Sequence, residues 1–143
     1  MKRVTVCILI FAAVFGAAYR GMAADDFVVI VNRKGPFASG VTADTVKKIF
    51  LGEKRFEGGV TLMPVNMQDG SLKEAFLGKV VGMTQKDYKL HWVKKVFREG
   101  IDVPPTLHSS YEAVELVQRE KGAIAYVPAS VASFAEGVVA LKL

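Results

Sequence analysis

Four short apolar runs constrain this chain more than any other feature: FVVIVN (Phe27 to Asn32), VTLMPV (Val60 to Val65), AIAYVP (Ala123 to Pro128) and VVALKL (Val138 to Leu143). Each is strand-length and bounded by turn formers, so each reads as a β-strand. Helical stretches separate them. Thr42 caps one whose inner face is Ala43, Val46, Ile49 and Phe50, with Gly52 at its end. Leu72, Ala75, Phe76 and Val80 share a face of the next, which stops near Gly82. Thr84, with Asp87 three residues on, opens a longer helix to about Glu99. Ser109 and Glu112 repeat that start for a helix with Ala113, Leu116 and Val117 inward. Strands joined through helices require crossovers and partly parallel pairing. The predicted fold class is therefore α/β, a small mostly parallel or mixed sheet flanked by helices. Two finer expectations follow. Pro64 cannot donate to a ladder, so it belongs at a strand end or sheet edge. Tyr88, Leu90, Trp92, Val93, Val96 and Phe97 cover a wide arc of the long helix, predicting burial with one solvated stripe of Asp87, His91, Lys94, Lys95 and Arg98.

The N-terminus follows another pattern. Met1-Lys2-Arg3 precedes an apolar run of 16 residues, Val4 to Tyr19, and small residues lead to Ala23-Ala24. This is the layout of a secretory signal peptide, predicted as residues 1–24 with cleavage near Ala23 or Ala24, Ala18 being a second candidate. The run is shorter than the roughly 20 residues of a spanning helix. The folded domain is then residues 25–143, exported to the periplasm. Cleavage removes three of the 19 basic residues (Lys2, Arg3, Arg20), leaving 16 against 14 acidic ones. That balance gives no reason to expect nucleic acid as a partner. Cleavage also removes Cys7, the only cysteine, so the domain must fold on packing alone.

His91 and His108 stand in no metal-ligand spacing, and the mature chain has no cysteine nucleophile, G-x-S-x-G elbow or Walker loop. The expectation is a non-catalytic protein without a cofactor.

KKIFLGEKRF (Lys47 to Phe56), VTLMPVN (Val60 to Asn66), HWVKKVF (His91 to Phe97) and KGAIAYVP (Lys121 to Pro128) are together similar to the phosphate-type periplasmic solute-binding proteins of ABC transporters. The resemblance spans Phe27 to Leu143, about half of a two-lobed member. It implies a type II periplasmic-binding-protein-like (PBP-like) domain in a short, single-lobe form. Binding of a small oxyanion such as phosphate and an inner-membrane transporter or sensor as partner are implied with it. The family's phosphate loop has the pattern R-x-D-G-S-G-T. Here the turn reads M-Q-D-G-S-L-K: Asp69, Gly70 and Ser71 match, while Met67, Leu72 and Lys73 stand where arginine, glycine and threonine would be. Ala125 replaces a glycine of the closing strand motif.

The turn PVNMQDGSLKEAF admits two readings. A helix start has four unpaired amides and a partial positive charge, which suit an oxyanion. In the ligand-binding reading Gly70 and Ser71 give backbone donors, Ser71 a hydroxyl, and Gln68 a side-chain donor. Asp69 accepts a ligand proton and Lys73 supplies positive charge. Asn32 and Ser39, at and after another strand end, are further candidates. In the other reading Asp69 or Ser71 is an ordinary N-cap, and the lobe is a ligand-free interaction or sensor module docking to a membrane partner.

Overall fold

The computed structural model describes residues 27–143, and the predicted signal peptide lies outside the described residues. In chain order the elements are β1 (Phe27–Asn32), α1 (Ala43–Phe50), β2 (Phe56–Glu57), β3 (Val60–Thr61), β4 (Met63–Pro64) and β5 (Asn66–Met67). There follow α2 (Gly70–Phe76), running on into a π-helical turn (Leu77–Val81), then α3 (Gln85–Glu99), β6 (Thr106–Leu107), α4 (Ser110–Arg119), β7 (Ala123–Pro128), α5 (Ala129–Ala132) and β8 (Val138–Leu141). The predicted helix starts are present. Thr42, Thr84 and Ser109 each accept a hydrogen bond from the amide three residues on, satisfying a donor the helix itself leaves unpaired.

The main sheet has the order β4-β7-β1-β8. β1 runs antiparallel to both β7 and β8, and β4 runs parallel to β7. The sheet is mixed, as the alternation of strands and helices allows. Pro64 lies on the edge strand β4, where its missing amide breaks no ladder. Val29 and Ile30 at the sheet centre are fully buried. An aromatic cluster ties helices to sheet: Phe76 stacks on Tyr126 at 4.0 Å between centroids, with Phe50 edge-on at 4.7 Å and Phe27 at 5.6 Å.

Two expectations need correction. VTLMPV is not one strand. Val60–Thr61 closes a hairpin with Phe56–Glu57 through Gly58-Gly59, both at positive φ (55° and 77°), the geometry tight hairpins favour. Only Met63–Pro64 joins the main sheet, and Asn66–Met67 leaves it to pair in parallel with β6. Nor is α3 mostly buried. Only Tyr88 and Trp92 are buried, whereas Leu90, Val93 and Phe97 are 49%, 45% and 87% exposed. The helix rests on the fold through a narrow seam, and among the described residues no element covers the rest of its apolar arc.

That seam joins two of the sequence motifs. The last carbonyls of α1 have no partner within the helix. Phe50 O accepts from Tyr88 Oη (3.0 Å) and Trp92 Nε1 (3.2 Å), and Leu51 O pairs with His91 Nε2 at 2.9 Å. Gly52 follows at φ 71°, and a Cβ there would lie 2.8 Å from the Trp92 ring. IFLG and HW are thus the two halves of one helix–helix joint.

Candidate functional site: the turn after β5 and the cleft beside it

The turn has the predicted place, between a strand end and a helix start, but the Ser71 donors and the Leu72 amide are occupied. Asp69 is the N-cap of α2. Its Oδ1 accepts from the amides of Ser71 (3.1 Å) and Leu72 (3.1 Å) and from Ser71 Oγ (2.9 Å). The Leu72 amide, then the Ser71 hydroxyl, hold the Asp69 pKa below the usual carboxylate range. Of the Gly70 and Ser71 amides expected to be free for a guest oxyanion, that of Ser71 is taken by the protein's own anion, together with that of Leu72. Lys73 N closes the first helical turn on Asp69 O at 2.9 Å.

The other turn residues have different surroundings. Met67 and Leu72, at the departures from the family pattern, are core residues, 1% and 5% exposed. Apolar packing stands where an arginine would bring charge. Gln68 Oε1 pairs with His108 Nδ1, while Gln68 N donates to Leu107 O (2.9 Å). The His108 amide, one residue before the Ser109 cap of α4, donates to the Glu112 carboxylate (3.2 Å). His108 is therefore a neighbour of the turn that sequence reading did not place there. Its signal was its position immediately before the Ser109 cap, which fixes it at the end of β6.

Asn32 and the turn lie at opposite ends of the sheet. β4 runs parallel to β7 and β1 antiparallel to it, so the chain leaves β1 at one end and leaves β4 and β5 towards the other. Asn32 is 6% exposed and fully engaged. Its Nδ2 donates to Val117 O (2.7 Å) and Gln118 O (3.0 Å), and its Oδ1 accepts from Lys34 N (2.8 Å). It closes the carbonyl end of α4 and the turn after β1, so its side chain is engaged within the fold. Ser39 is exposed in the loop that leaves that end.

Lys73 is half-buried along the flank of α2, its ammonium 5.9 Å from the centre of the Tyr88 ring. Burial pushes its pKa down. It lines a half-open cleft of about 520 Å³ between α2, α3 and the β5–β6 pair. Lys86 and Lys89 line it too, with Trp92, Val93 and Val103 as its apolar wall. Buried Asn66 is held by Tyr88 Oη (3.3 Å) and Tyr126 Oη (3.4 Å). No carboxylate lines this cleft. The salt bridges among the described residues engage Lys48, Lys54 and Lys95, none of them a cleft lysine.

No family model and no curated protein sequence matches the chain. Solved structures do. A phosphate ABC transporter substrate-binding protein with bound phosphate from Clostridium perfringens aligns at TM-score 0.60 and 20% identity, over 82% of this chain and 44% of that one. An ABC-type phosphate transport receptor from Vibrio cholerae aligns at TM-score 0.55 and 18% identity, over 82% and 45%. The fold is shared with part of each of these structures, and the chain spans less than half of their length. At such identity the likeness fixes the architecture and leaves the site to its own chemistry.

Proposed function

We propose that this chain is an exported, periplasmic, non-catalytic PBP-like lobe that docks to a membrane transporter or sensor and holds no solute at the Asp69 turn. The observation that carries this reading is the Asp69 carboxylate bonded to the Ser71 and Leu72 amides. An incoming oxyanion would have to displace an ionised group already in its place and then sit beside that negative charge. Opposite this turn, a second lobe would be needed to enclose a small anion, since an open, half-solvated site binds weakly. The similarity to binding proteins supports a non-catalytic role.

A second reading keeps the solute. It is favoured by the phosphate in the Clostridium perfringens structure and by Asp69, Gly70 and Ser71 in this chain. Rotation of the Asp69 side chain would free two amides for phosphate at a loss of about 1 kcal/mol of capping. Gln68 and Lys73 would add donors.

Melting curves of the secreted form separate the two. A ligand that prefers the native state raises the melting temperature by mass action. The docking reading expects no shift with millimolar phosphate or sulfate beyond that of chloride at equal ionic strength. A saturable rise with phosphate supports the solute reading instead.

A further inference from the structure

One face of α3 has a composition that its own fold does not explain. Lys86, Leu90, Val93 and Phe97 follow one another at spacings of four, three and four residues, so they form a single ridge. Its apolar members are exposed, Phe97 at 87%, and Val103 beside it is 55% exposed. Val93 and Val103 also form part of the cleft wall, so ridge and cleft are one continuous surface. Scattered exposed apolar residues are ordinary; a contiguous row next to a concavity is not. The charges are also out of place. Lys86 lies in the first turn of α3, where the helix dipole disfavours a cation. Over Gln85–Glu99 there are five basic residues against two acidic ones, and Glu99 is already paired with Lys95 at 2.9 Å.

We infer that the α3 ridge and the lysine-lined cleft are the docking face for an acidic, apolar segment of a partner protein. An aromatic or aliphatic side chain of that segment enters the cleft between Trp92 and Val103, and carboxylates flanking it pair with Lys73, Lys86 and Lys89. Charge selects this occupant over the others. A second copy would bring the same excess of basic residues against this face. The chain's residues 1–24 carry three basic and no acidic residues. An anionic bilayer matches the charge but is flat, and leaves a cleft of about 520 Å³ unfilled. The inference rests on the docking reading and names its partner chemistry.

Trp92 is the only tryptophan and lines the cleft, so its fluorescence reports occupancy there. The secreted form is titrated with a set of synthetic helical peptides bearing Leu and Phe at i, i+4 and i+7 with flanking glutamates. The same peptides with lysine for glutamate serve as controls, as do phosphatidylglycerol vesicles. The expected result is a saturable Trp92 change with the acidic peptides only. It should weaken about tenfold, or ~1.4 kcal/mol, in the double variant Lys86→Glu/Lys89→Glu and in Phe97→Ser. Circular dichroism should show both variants folded, since a carboxylate at position 86 is favoured in the first turn of the helix and Lys89 and Phe97 are exposed. No response to any acidic peptide overturns the inference. So does an equal response to the lysine peptides, a response to vesicles alone, or self-association through Phe97 by sedimentation. Phosphate-dependent melting would instead count against the docking reading itself, so the two failures are distinguishable.

Discussion

At the scale of single residues, the decisive group is Asp69. Its side chain satisfies two amides that α2 cannot satisfy itself, so Asp69→Ala should lower stability by about 1 kcal/mol in urea unfolding, and Asp69→Asn by less. The pH dependence has a definite sign. The folded-state pKa of Asp69 is lowered, so as pH falls the unfolded chain takes up its proton first. The stabilisation is complete above the ordinary aspartate pKa of about 3.9 and is lost as pH drops through the folded value. The stability gap between wild type and Asp69→Asn should therefore close on acidification below about pH 4. Tyr126 offers a larger effect. Its hydroxyl accepts from the buried Met67 amide at 3.1 Å. Tyr126→Phe strands that donor and should cost about 1–3 kcal/mol by the same measurement. The sequence showed that an aspartate and a serine stand at a helix start. It did not show which way the carboxylate turns, because capping and ligand binding ask for the same residue types at the same place.

At the scale of elements, helix starts were legible because a cap is a local arrangement of a few residues. The split of VTLMPV was not. A run of apolar residues shows that a segment is buried, but not that Val60–Thr61 turns back on β2 while Met63–Pro64 is placed by the distant strand β7. The exposure of α3 was hidden for a related reason. A helical projection shows which residues are apolar, not whether another element comes to lie on them. The joint between α1 and α3 yields a prediction. Gly52→Ala puts a Cβ against the Trp92 ring at a backbone conformation that alanine adopts poorly. It should destabilise the fold by more than the roughly 1 kcal/mol that such a backbone conformation alone would cost, and shift the Trp92 emission maximum of the folded state.

At the scale of the whole molecule, the mixed sheet decides what can meet. The antiparallel run of β1 sends Asn32 to the end away from Gln68 to Ser71, so one small ligand cannot touch both. Asn32→Ala should therefore lower stability, by about 1–3 kcal/mol for unpaired carbonyls at the end of α4. It should leave any response to phosphate unchanged. The fold class was legible because alternation of strands and helices restricts topology so strongly. The site was not, since function on a shared fold depends on side-chain detail. The central claim is that the Ser71 and Leu72 amides are closed by Asp69 and take no guest anion. Its most direct test is the amide NMR spectrum of the protein as phosphate replaces chloride at constant ionic strength and pH. The account predicts that the Ser71 and Leu72 amide resonances stay in place throughout the titration. Saturable movement of both, abolished by Ser71→Ala, would contradict it.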